Sequence, residues 1–266
     1  MIDEMPKLEN NITFLGTDLK YEDIKESVKS FIIGFKLENE EMPHYQNKID
    51  QMKETGIIYN MQMNCEHLHQ YDKGLYNKLI KFPTEVLPIF DLVVQEKILE
   101  NGSEEELEKK VTVFPYGLKD TAPMRNLGPS DLDHLVSIKG MIIRSSNIVP
   151  ELKEAFFECT NCYQNERVAL RNGLIKEPSK CKVCNKPFTM QIIYNRSVYV
   201  DKQIIKLQET PDAIPEGETP HSVTLISYSD LVDIARPGDR VDITGIYRAS
   251  PQRVNAIHRK VNSIYR

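Results

Sequence analysis

Two Cys-x-x-Cys pairs, Cys159/Cys162 and Cys181/Cys184, stand with eighteen residues between them in the middle of the chain. Each pair is a tight turn that aims two sulfurs at one point, and two such turns close a tetrahedron around Zn²⁺. Four sulfurs leave no open coordination position, so the metal is expected to brace the fold rather than to catalyse. Two disulfides or an iron–sulfur cluster are the alternatives, although this spacing is strained for a structural disulfide. The fifth cysteine, Cys65, reads as a buried apolar thiol.

Around the cysteines the hydrophobic period changes along the chain. Ile24, Val28, Phe31, Ile32 and Phe35 make one helical stripe, and Tyr45, Ile49 and Met52 a second. Residues 57–63 alternate like a strand. Leu75, Leu79 and Ile80 mark a helix ended by Phe82-Pro83, and Thr84 is expected to cap the next helix, through Val86 to Ile98. From Val111 onward the period is two, with strand-like runs at 111–114, 135–146, 154–159, 168–170, 189–200, 204–209, 222–228, 240–249 and 256–266. Many short strands with Gly/Pro turns and no intervening helical stripe predict a small closed barrel, with the cysteine module as an excursion between its strands.

Charge divides the chain the same way. Residues 1–136 carry 15 Lys/Arg against 25 Asp/Glu, whereas residues 137–266 carry 19 against 14. A polyanion would therefore meet the second half, and the acidic half would face elsewhere. There is no basic-then-apolar start and no run of about eighteen apolar residues, so neither secretion nor a membrane span is expected. With four cysteines reserved for metal, the expected compartment is intracellular and reducing.

Motifs for catalysis are missing. The sequence has no G-x-x-x-x-G-K-[ST] loop, no G-x-G-x-x-G, no G-x-S-x-G and no H-E-x-x-H. His67 and His69, two apart on a helix, read as surface residues rather than ligands. Binding is better served: Arg144, Lys202, Lys206, Arg248, Arg253 and Arg259 sit on or beside strand-like runs, where a barrel groove can follow a phosphate backbone. Ser250-Pro251-Gln252 reads as the turn of a basic hairpin, and the proline-stiffened loop 210–220 as a contact surface. A free-standing single-strand-binding protein with a structural zinc ribbon satisfies the same features.

Specific motifs narrow the choice. GTD at 16–18, MNCEHL at 63–68, FPTEVLPIFD at 82–91, MRNL at 124–127, SIKGMIIRSS at 137–146 and DKQIIKLQETPD at 201–212 resemble the N-terminal region of minichromosome maintenance (MCM) replicative helicase subunits. TPHSV at 219–223, LVD at 231–233 and PGDRVDITGIYRA at 237–249 add to it. The resemblance implies an α+β multi-domain chain: a helical bundle at 1–110, an OB-fold barrel from 111–158 and 196–266, and an inserted four-cysteine zinc module at 159–195.

It also implies a non-catalytic collar within a hexameric ring that encircles single- or double-stranded DNA in the nucleus. Other MCM subunits would be partners, and two rings could meet head to head through their zinc modules. Cys159, Cys162, Cys181 and Cys184 would hold structural Zn²⁺, and Arg144 and Lys206 would bind a single strand. Arg248, Arg253 and Arg259 would lie on a channel-facing hairpin, and the 210–222 loop would couple to a motor domain. The ATPase module of the family is not among these residues, so no enzyme activity is expected of the chain itself.

Overall fold

A computed structural model describes Phe14, Thr17 and residues 19–37, 42–55, 60–100, 111–169, 175–249, 251–253 and 261–265. The chain divides into two compact units, residues 1–138 with 242–266, and residues 139–241.

The first unit is built on helices α1 (Tyr21–Gly34), α2 (His44–Thr55), α3 (Cys65–Tyr71), α4 (Lys73–Lys81) and α5 (Pro83–Leu99). The apolar stripe of α1 buries Ile24, Val28, Phe31 and Ile32, and that of α2 buries Tyr45, Ile49 and Met52. Helix α5 is apolar on most of its circumference because α1, α2 and α4 all pack on it, burying Val86, Ile89, Phe90, Val93, Val94 and Ile98. It begins two residues earlier than the sequence suggests. Pro83 occupies the first turn, where a missing N–H costs nothing, and Phe82 rather than Thr84 precedes the helix with no side-chain cap.

Strand β1 (Met61–Asn64) pairs in parallel with β2 (Val113–Tyr116). The strand expected at 57–63 thus appears only from Met61, and residues 56–59 lie outside the described part. Asn64 turns β1 directly into α3 by accepting the Glu66 N–H at 2.9 Å. Asp72 serves two helices. Its N–H closes α3 on Leu68 O, and its Oδ1 accepts from Gly74 N at 2.7 Å and Leu75 N at 3.2 Å to open α4. Asp72→Ala is expected to cost about 1 kcal/mol, read as a lower urea midpoint; an unmoved midpoint would refute the cap.

Two histidines depart from expectation. His67 Nδ1 lies 3.1 Å from the Tyr45 hydroxyl, and its ring stacks on Phe35 at 4.7 Å, so it ties α3 to α2 and to the end of α1. His69 packs edge-on against Tyr76 at 5.0 Å. Both are half-buried packing residues rather than surface ones. Cys65 is fully buried, and burial pushes its thiol up to about 12.

A seven-stranded sheet carries the second half of the chain, in the order β5 (Asn165–Ala169), β4 (Val149–Cys159), β7 (Val198–Gln208), β3 (Leu135–Ser145), β9 (Arg240–Ile246). Strand β6 (Met190–Ile192) pairs with β4 and β8 (Ser222–Tyr228) with β7. The β4, β6, β7 and β8 pairings and that of β3 with β7 are antiparallel. The run expected at 189–200 is broken by a 3-10 turn at Tyr194–Arg196, and β7 continues unbroken through the expected gap at 201–203.

β10 (Pro251–Arg253) pairs antiparallel with β11 (Val261–Tyr265). Pro251 and Gln252 therefore belong to a strand, not to a turn, and residues 254–260 lie outside the described part.

Candidate metal centre and nucleic-acid interface

The two cysteine turns are built alike. Cys159 N–H donates to Gln164 O and Tyr163 N–H returns to Cys159 O; Cys181 N–H donates to Lys186 O and Asn185 N–H returns to Cys181 O. The residue after each pair, Tyr163 and Asn185, takes a left-handed conformation at φ 57° and 54°. Non-glycine residues adopt that region at a cost of about 1–2 kcal/mol, which local constraint must offset. These turns place all four sulfurs within 4.8 Å of one another. Cys159 and Cys184 Sγ are 3.6 Å apart, and Cys162 and Cys181 Sγ 3.4 Å.

Those separations leave all four thiols free, so the two-disulfide alternative does not hold here. They lie a little under the ~3.8 Å edge of a tetrahedron with metal–sulfur bonds of about 2.3 Å. The electrostatics point the same way. Hydrogen bonding to Thr189, then to the Cys162 backbone, lowers the Cys159 thiol to about 6. The Cys184 and Val183 backbone N–H groups lower Cys181. For Cys162 the Gln164 N–H pulls downward, but burial and three neighbouring thiols outweigh it and push the group up to about 12. Four sulfurs in one place ionise together only around a cation, and this donor set suits a structural metal.

The surrounding core is small: Ala155, Phe157, Cys159, Cys181 and Met190 are its buried members. At the surface of the module Phe188 is 92% exposed, at φ 56°, and Tyr163 and Val183 are also exposed.

The basic candidates fall in different places. On β7, Gln203, Ile205 and Leu207 are buried while Ile204 and Lys206 are exposed, the alternation expected of a strand with one solvated face. On β3, Ile142 is buried opposite Leu207, so plain alternation would bury Arg144 as well. A bulge between Ile142 and Arg144 absorbs one extra residue and puts Arg144 directly opposite Lys206, where both are exposed. Like charges at facing positions repel. Among the described residues neither cation has an ion-pair partner.

Lys202 lies four residues from Lys206 along the same face but is already engaged. Its Nζ is 2.8 Å from Glu151 Oε1 and 5.8 Å from the Tyr228 ring centroid. Hydrogen bonding to Glu151 raises the Lys202 pKa and, reciprocally, lowers that of Glu151. In the first unit, exposed Arg248 places Nε 4.0 Å from Asp133 Oδ1, on the stretch where Tyr247 exchanges backbone hydrogen bonds with Asp133 and His134. Arg253 lies on β10, and Arg259 is outside the described residues. The structure thus brings Arg144 and Lys206 together.

Loop 210–221 is tied at its base. Glu209 N–H donates to His221 O, and the buried Glu209 carboxylate accepts His221 N–H at 3.0 Å. Asp212 meets Arg240 at 3.0 Å. Sequence reasoning missed Glu209 because a single carboxylate at a strand end carries no spacing signal.

Two profiles of one family match this chain: the MCM N-terminal domain over residues 25–117 and the MCM OB domain over residues 123–251. The chain belongs to the MCM family and carries its N-terminal and OB domains. It is 41% identical to DNA replication licensing factor mcm4 of Xenopus tropicalis, over 97% of this chain and 31% of that protein. It is 40% identical to DNA replication licensing factor MCM4 of Drosophila melanogaster, over 94% of this chain and 30% of the relative. Identity to DNA replication licensing factor mcm5 of Dictyostelium discoideum is 26%, over 84% of this chain. The relatives at 40–41% identity are named as the fourth paralogue of the eukaryotic set. The chain spans about a third of the length of the mcm4 relatives.

Proposed function

We propose that this chain is the DNA-binding and ring-assembly collar of a hexameric DNA-replication helicase subunit, acting in the nucleus with other MCM subunits. It divides into a helical bundle at 1–110, an OB-fold at 111–158 and 196–266, and a zinc module at 159–195. Zn²⁺ held by Cys159, Cys162, Cys181 and Cys184 braces that module, and its exposed Phe188 suits a contact between two rings meeting head to head. The 210–221 loop, clamped at its base by Glu209, is suited to couple the collar to a motor domain. ATP hydrolysis belongs to that motor domain and not to these residues.

One observation carries the DNA reading: a β-bulge turns Arg144 out of the core to stand beside Lys206. Two facing cations without an acid between them are destabilised until an anion arrives. A phosphate backbone supplies one wherever it is held, independent of sequence. Arg248 and Arg253, with Arg259, add to the positive charge available to DNA; Lys202, a further candidate, is paired with Glu151 and adds little net charge while that pair holds. The experiment is titration of a fluorescent single-stranded oligonucleotide by the zinc-loaded chain and by its Arg144→Ala/Lys206→Ala variant. The variant is expected to bind more weakly at low salt, with a deficit that narrows as salt rises; equal binding at low salt would reject the two as contacts.

A further inference from the structure

The cation pair does not stand alone on its face. Counting along β7 by twos, the outward row opposite β8 reads Lys206 facing Thr224, then Ile204 facing Ile226, then Lys202 facing Tyr228. Ile204 and Ile226 are 46% and 53% exposed and Tyr228 is 41% exposed, a great deal for aliphatic and aromatic side chains at the centre of paired strands. Directly opposed residues share a face, so the isoleucines form one apolar step that begins beside Lys206.

The step is bounded by unlike neighbours. At one end Arg144 and Lys206 are uncompensated; at the other Lys202 is neutralised by Glu151. A ligand matching this order has an anionic edge at the first end and an uncharged, flat, partly apolar body lying away from it. A protein partner burying the isoleucines would need an acidic residue at the Arg144/Lys206 end. A single-stranded nucleic acid has both parts in every repeat, phosphate on one side and base on the other.

We infer that Ile204, Ile226 and Tyr228 are a base-contact platform, which orients a single strand with its phosphates on Arg144 and Lys206 and its bases across β7 and β8. The inference rests on the DNA-binding reading of the cation pair and deepens it. The platform reads a base's face and not its edge, so it does not discriminate sequence. It does discriminate single strands from duplex, in which the base faces are stacked away.

The test compares oligothymidylate with an oligonucleotide of the same length whose central sugars are abasic, both titrated against the zinc-loaded chain. The Ile204→Thr/Ile226→Thr variant keeps β-branched side chains on both strands while making them polar. Its binding to oligothymidylate is expected to fall about tenfold, the scale of a lost base contact. Binding to the abasic strand and the salt slope on both are expected to stay at wild-type values. Ile204→Val/Ile226→Val is expected to restore the preference for bases. Equal affinities of the wild-type chain for the two strands would overturn the platform, as would a threonine variant that loses both equally while the valine variant binds normally. A change in oligomeric state in place of the base preference would assign the step to a second copy of the chain and also overturn it. Failure of the cation-pair reading would appear separately, as an unaltered salt slope in Arg144→Ala/Lys206→Ala.

Discussion

Replacing Cys181 by Ser is expected to abolish zinc retention and to unfold the region from Cys159 to Ile192 while helices α1 to α5 keep their structure. The reason is the size of what remains. Apart from its two sulfurs, the buried part of the module is Ala155, Phe157 and Met190. Burial of side chains such as Phe and Met contributes about 1.5–3 kcal/mol each. Against this, the left-handed turns at Tyr163 and Asn185 cost about 1–2 kcal/mol apiece. Binding of structural zinc contributes ~10–16 kcal/mol in isolated zinc-finger peptides, far more than either.

Helices α1 to α5 share a core of their own that includes none of the cysteine module, so they should keep their structure. Elemental analysis reads the metal and limited proteolysis reads the region. Full zinc content in the variant would remove Cys181 from the ligand set. Protection from cleavage without metal would show that the apolar cluster suffices alone.

The second large effect belongs to Arg144 and Lys206. Each phosphate neutralised on a single strand contributes about 0.7 to the slope of log affinity against log salt. The double alanine variant is expected to lower that slope by about 1.4 and, at 0.1 M salt, to lose roughly 25-fold in affinity if both residues act only through counterion release. It should also relieve the repulsion between facing cations, so its folding stability should rise or hold. Weaker DNA binding together with unimpaired stability is the signature of a contact rather than a packing residue. A variant that loses both would mark the pair as part of the fold.

Much of this was legible in residue spacing, and the failures have physical causes. The stripes of α1 and α2 are strong because one face of each is buried in a common core, and the apolar run of α5 is strong because it is buried on most sides. The cysteine turns are legible because only a shared point explains four sulfurs in that pattern. Arg144 is different. Alternation from buried Ile142 would turn it inward, and nothing local announces the bulge that turns it out. Residues 201–203 interrupt the apolar alternation with Asp201, Lys202 and Gln203, yet β7 runs through them. Buried Gln203 is satisfied there by Ser146 O and Asp233 N, and Lys202 by Glu151. His67 was misjudged because its partners, Tyr45 and Phe35, come from distant sequence. In each case a tertiary neighbour decided what local pattern could not.

Hydrogen exchange of the zinc-loaded chain with and without oligothymidylate tests the central claim most directly. Slowed exchange is expected at residues 142–146, 202–208 and 222–228, the strands that carry the cation pair and the apolar step. Slowing confined to the helices at 21–99, with those strands unaffected, would contradict it.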